Sequence, residues 1–167
     1  SMYSLFYSKN TFNDDISNWD TSNVTTMTLM FQGCTNFDQT VSNFDTSNVT
    51  DITGMFSDCT SFNQPVSNFD TSNVISMGYM FYGCTNFNQP VSNFDTSNVT
   101  WMASMFMGCT NFNSAVNFDT SNVINMGSMF NDCTSFNQDI RDWTINVSSD
   151  RTNMFLEATA MINTYTG

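Results

Sequence analysis

The side chains with which this chain could do chemistry recur at a fixed interval. Cys34, Cys59, Cys84 and Cys109 are 25 residues apart, and Cys133 follows after 24. Brought into one column, thiols offer a disulfide staple or a soft-metal site; the competing reading is buried packing, since free Cys is among the most buried residue types. The odd number, the lack of any C-x-x-C and Ala158 in the equivalent later place favour packing, with five free thiols. Asp20, Asp45, Asp70, Asp95 and Asp119 set like charges one above another. Their hard oxygens would suit a row of calcium ions. The spacing D-T-S-N lacks the dense carboxylates of calcium loops, however, and an Asp that accepts backbone N–H bonds at a corner explains the position without a metal. Asn23, Asn48, Asn73, Asn98 and Asn122 form a third column, with Asn18, Asn43, Asn68, Asn93 and Asn117 earlier in each unit. An amide carries donors and acceptors that satisfy backbone groups at such corners. Asn23, Asn48, Asn98 and Asn146 also fall in N-x-S/T sequons, which SNVT writes automatically at the first three.

Other chemistries lack their residues. There is no His, which removes the commonest general base and metal ligand. No Gly-rich phosphate loop, no nucleophile with a His and no pair of isolated, distinguishable carboxylates occurs, so a non-enzymatic protein without cofactor or metal is expected. Fifteen acids face three bases, a net charge of −12, and the bases Lys9, Arg141 and Arg151 lie near the ends. Nucleic acids and anionic membrane surfaces both need Lys/Arg, so neither is an expected partner. Apolar runs are too short to span a membrane, and no secretory apolar stretch is visible. Ser1-Met2 reads as an expression scar before a start, so a leader could have preceded it.

The interval comes from a repeat. Phe12, Phe37, Phe62, Phe87 and Phe112 are 25 residues apart; Phe136 follows after 24, because FNSAVNFD lacks the Ser of FNQPVSNFD. The unit reads F-N-Q-P-V-S-N-F-D-T-S-N-V-T-x-M-x-x-M-F-x-G-C-T-N. A partial unit occupies 2–11, five full units 12–135, and a divergent capping unit 136–167. From Val49 the apolar positions Ile52, Met55, Phe56 and Cys59 follow at i+3, i+6, i+7 and i+10, a stripe that predicts a helix of about three turns. Asp45-Thr46-Ser47-Asn48 suits its start, and Gly33, Gly83 and Gly108 suit its end. The other half, around Val66, predicts a short strand beginning at or just after Pro65 and Pro90. One unit buries too little apolar surface to order itself, so units must stack.

The compound motif W/F-D-T-S-N-V-T-x-M-x-x-M-F-x-G-C-T-x-F-N resembles the BspA-like leucine-rich repeats of mycoplasma-type and other bacterial surface proteins, from Met2 to about Ala158. The resemblance implies an α/β, leucine-rich-repeat-like right-handed solenoid of about six 25-residue strand–corner–helix coils with a parallel sheet. It also implies surface display, adhesion and protein binding, with no catalytic motif to carry over.

Function is expected where units differ. Unit three has Ile75, Tyr79 and Tyr82, and unit four has Trp101 and Met107. On a helical wheel Tyr79, Tyr82 and Met107 point outward with Trp101 on the flank, and neighbouring units join them into one exposed aromatic and apolar patch. The expected function is a binding or adhesion module for a protein or surface glycan, on a cell or particle surface. The alternative is a scaffold that self-associates as a homo-oligomer through the same patch. Five unpaired thiols keep a reducing, cytoplasmic setting open.

Overall fold

The structure, a computed structural model, describes residues 1–161. The last six residues of the expected capping unit lie outside the described residues. The units stack in register, but not as strand–corner–helix coils. Between Val24 and Thr159 the described residues contain no α-helix, and helical backbone occurs only at 159–161. Among the described residues, extended pairing is confined to single-residue parallel bridges linking Thr26, Asp51, Ser76, Trp101, Asn125 and Asp150 in succession. The expected α/β leucine-rich-repeat solenoid with a parallel sheet is therefore replaced by a stack of turns.

Backbone hydrogen bonding supplies the reason. In the predicted helix of unit one, N–H groups alternate between two destinations. Those of Met30, Gln32 and Cys34 close tight turns on the carbonyls of Met27, Leu29 and Phe31, at 3.1, 3.2 and 2.9 Å. Those of Met27, Leu29, Phe31 and Gly33 leave the unit and donate to Asp51, Thr53, Met55 and Ser57 of the next, at 2.8–3.1 Å. A helix would keep every N–H inside its own segment and leave nothing to join units. Two positions per unit also carry left-handed backbone, Leu29 (φ 57°) and Gly33 (φ 74°) in unit one, Tyr79 (57°) and Gly83 (67°) in unit three. Left-handed residues cannot continue a right-handed helix, but they suit the third position of a tight turn. Met27, Met30, Phe31 and Cys34 still point inward and are fully buried, because consecutive turns expose the same apolar spacing to the core as a helix stripe.

The predicted strand is also a turn. Phe69 N–H donates to Val66 C=O at 3.1 Å, with the same closure at Phe44–Val41 and Phe94–Val91. Pro65 and Pro90 have no N–H to give, and no backbone ladder forms beside them.

Aromatic columns fill the core. Phe6, Phe31, Phe56, Phe81, Phe106, Phe130 and Phe155 stack along one line, successive centroids 5.6–5.8 Å apart. Phe12, Phe37, Phe62, Phe87, Phe112 and Phe136 make a second line at 5.8–6.0 Å. Within a unit the two lines touch, with Phe56 and Phe62 centroids 4.1 Å apart and nearly parallel. Trp19, Phe44, Phe69, Phe94, Phe118 and Trp143 fall in a third column, so all 17 phenylalanines serve these columns. The one-residue deletion in unit five is absorbed locally: Trp101 pairs with Asn125, 24 residues on, and the 25-residue step resumes at Asp150.

Candidate functional site

The cysteines lie on the turn face, one unit above another. All five are free and fully buried. Each thiol donates to a phenylalanine carbonyl of the preceding unit, Cys59 to Phe31 at 3.0 Å and Cys109 to Phe81 at 2.8 Å among them. Burial pushes the Cys34 thiol up to about 11, Cys133 to about 12 and the middle three well above their ordinary range. A thiol that holds its proton is a poor nucleophile and a poor metal ligand. Among the described residues no group of three or more Cys, Asp or Glu is placed to hold a metal ion.

The aspartate column is exposed and turns corners. Asp45 accepts Ser47 N–H at 3.0 Å and Ser47 Oγ–H at 2.6 Å, and Asp20, Asp70 and Asp95 repeat both bonds with Ser22, Ser72 and Ser97. Asp119 takes the N–H of Ser121 at 2.9 Å. These serine bonds hold the carboxyls below the ordinary carboxylate value, against slight desolvation and, at Asp45 and Asp95, weak repulsion from neighbouring aspartates. The asparagine column joins units: Asn48, Asn73, Asn98 and Asn122 each donate to the serine carbonyl of the unit before, at 2.7–2.9 Å. Asn23, first in that column, donates to Ser22 Oγ at 3.3 Å. Asn68, from the other amide column, donates to both Val41 and Phe44 carbonyls at 3.2 Å, taking the acceptors that a strand would have used.

Two further columns escaped sequence reasoning. Thr21, Thr46, Thr71, Thr96 and Thr120 are buried, and each hydroxyl donates to a carbonyl of the next unit at 2.9–3.0 Å. Asn13, Asp38, Asn63, Asn88 and Asn113 accept the next unit's backbone N–H at 2.8–3.0 Å. The signal was present, a Thr beside every repeated Asp and an Asn or Asp after every repeat-opening Phe, but it looked like turn composition.

Of the five patch residues, three form one cluster. Tyr79 lies centrally, its ring centroid 6.0 Å from Tyr82 and 5.8 Å from Trp101, which it meets edge to face. Trp101 lies flat over Gly78, where an added Cβ would come within 3.1–3.3 Å of the indole. Ile75, 52% exposed, stands at the corner before the turn face. Met107, half-buried, is in register with Tyr82.

Beside the cluster lies a notch of about 360 Å³ lined by Leu29, Gln32, Ser57, Asp58, Tyr79 and Tyr82. The repeat accounts for its shape. Unit one puts Leu29 and Gln32 in two outward columns and unit three puts Tyr79 and Tyr82 there, whereas unit two has only Gly54 and Ser57. Gly54 fits this place without strain: its φ is +60°, and a Cβ would lie 2.6 Å from Leu29 Cδ2, so that a larger residue would have to displace the end of the leucine side chain. Asp58 replaces glycine at the second left-handed position, with φ 58°. Burial raises its pKa, partly offset by the Ser57 hydroxyl. Leu29 and Tyr79, the two bulky walls, hold left-handed backbone that costs a non-glycine residue about 1–2 kcal/mol.

A second cavity, about 320 Å³, opens at the shortened corner of unit five between Val116, Asn117, Phe118, Asp139, Asp142 and Trp143. Its indole is committed internally, Trp143 Nε1–H donating to Val116 C=O at 3.0 Å. Asp139 is ion-paired with Arg141.

A family model described as a Mycoplasma protein of unknown function, DUF285, matches residues 1–115 and 88–166. No curated protein and no solved structure matches the chain. No helix among the described residues is long and apolar enough to cross a membrane.

Proposed function

The chain belongs to this DUF285 family of Mycoplasma proteins, and from that premise we propose that it is a binding or adhesion module that docks a protein or glycan at a cell or particle surface. The observation that carries the reading is the Tyr79–Tyr82–Trp101 cluster. It is a group of three contacting aromatics on the outside of a stack whose phenylalanine columns are internal, whereas the other exposed tyrosines among the described residues, Tyr3 and Tyr7, lie in the partial first unit. Tyr79 also holds a backbone conformation in which glycine, used by unit two at the same place, would be at ease. A bulky ring kept there at a cost in backbone energy supports a use for the ring. The resemblance of the compound motif to BspA-like surface repeats supports display outside the cell.

The test is capture from a surface extract by wild type and by a Tyr79/Tyr82/Trp101→Ser protein shown to be folded. Docking through this face requires a partner held by wild type and lost by the variant. Equal capture by both moves the interface elsewhere. Self-association by wild type alone, with nothing captured, replaces adhesion by the scaffold reading.

A further inference from the structure

We propose that the notch between Leu29 and Tyr79 is a receptor for a single cationic side chain, an arginine or lysine presented by a protein partner. The inference rests on the docking reading and narrows it to a basic protein.

Three features converge. The volume of about 360 Å³ is at the small end of ligand sites and fits one long side chain better than an oligosaccharide. Tyr79 and Tyr82 line one side with ring centroids 6.0 Å apart, so a cation in the notch can lie within roughly 6 Å of both rings. Asp58 supplies the opposite charge. It is half-buried, one oxygen packs against the Gly83 backbone, and its only hydroxyl partner is the neighbouring Ser57. The one ion pair among the described residues, Arg141–Asp139, lies four units away, so Asp58 has no internal cation. The surrounding field favours the same occupant, since the chain carries a net charge of −12. Gln32 adds an amide whose carbonyl can accept a guanidinium or ammonium N–H.

Among the described residues unit two alone has this arrangement. Asp58 has acidic counterparts at the same left-handed position in Asp132 and Glu157, but the outward columns there hold Ser128, Asn131, Asn153 and Leu156, with no aromatic wall.

The experiment is an NMR titration with acetyl-Gly-Gly-Arg-Gly-Gly-amide and its citrulline counterpart, which keeps the shape and removes the charge. The arginine peptide should shift signals of Tyr79, Tyr82 and Ser57, and citrulline should weaken binding at least about tenfold. Asp58→Asn should weaken it to a similar degree, whereas Asp14→Asn, which removes an exposed charge outside the notch, should alter it by less than about twofold. Equal binding of the two peptides, or an unchanged affinity in Asp58→Asn, overturns the proposal. So do shifts spread along the Asp20–Asp119 column, which would mark bulk attraction. The two readings fail separately. A surface partner lost by the triple aromatic variant but kept by Asp58→Asn leaves docking standing and removes the cation receptor. A notch that binds the arginine peptide beside a partner indifferent to the aromatics does the reverse.

Discussion

Two columns of the turn face sit two residues apart and obey opposite rules. The column through Phe31, Phe56, Phe81, Phe106 and Phe130 repeats one residue and stacks its rings at 5.6–5.8 Å. The column through Leu29, Gly54, Tyr79, Ser104 and Ser128 holds four residue types on the same hydrogen-bonded backbone. Both send their N–H groups to the next unit, so the ladder is indifferent to what the side chain is. Packing enforces uniformity inside, where ring spacing must match unit spacing. Outside, nothing does, and variation is free to carry recognition.

Replacing an inner ring should cost most. Phe56→Ala removes a fully buried ring in contact with Phe31, Phe62 and Phe81 and should destabilise by roughly 3–5 kcal/mol in urea unfolding. The outer Tyr79→Asn, which suits a left-handed position, should stay within about 0.5 kcal/mol. Comparable losses from the two would erase the distinction between the columns.

Next in size is Thr71→Val. Its hydroxyl is buried and donates to Asp95 C=O at 2.9 Å, so the change strands a carbonyl between units and should cost roughly 1–3 kcal/mol by the same measurement. Gly54→Ala should cost about 1 kcal/mol or slightly more, from its positive φ and the encounter with Leu29. Adding Leu29→Ala should relieve the encounter and leave only the backbone part. A single variant as stable as wild type would show that this outer column tolerates even its glycine being filled.

Acid should act most gently. The exposed aspartates titrate below the ordinary 3.8 because serine bonds favour their charged form. Their contribution is therefore complete above that value and is lost as pH falls through the lowered native one. Asp58, raised by burial, works in the opposite direction near the same pH. Tm should be level between about pH 7 and 5 and decline below about 4. A Tm rising on acidification would mean that repulsion along the Asp20–Asp119 column outweighs its serine bonds.

The sequence made the repeat, its register and its buried positions legible, because identical spacing of Phe, Met and Cys survives whatever backbone carries it. Val49, Ile52, Met55, Phe56 and Cys59 are all buried as their stripe required. The helix was misread because offsets of three, three, one and three describe consecutive tight turns as well as a helix face. Periodicity does not say whether an N–H closes on its own segment or on the next unit. Gly54, Gly78 and Gly127, with Thr, Ser and Asn around them, argued against a helix by propensity alone. The aromatic face was visible as the departure from repetition. The notch was not, since it depends on Leu29 and Tyr79 flanking a unit that leaves its outward place empty.

The hydrogen bonds that leave each unit run along the stacking direction, and this has a mechanical consequence. Tension applied to the two ends of the chain meets the units one at a time, because each is fastened chiefly to its immediate neighbours. A pulled molecule should lengthen in even steps, each releasing one 25-residue unit of contour, roughly 80 Å once the folded spacing is subtracted. Such a chain behaves less like a bead than like a coiled tether, giving way in instalments under load.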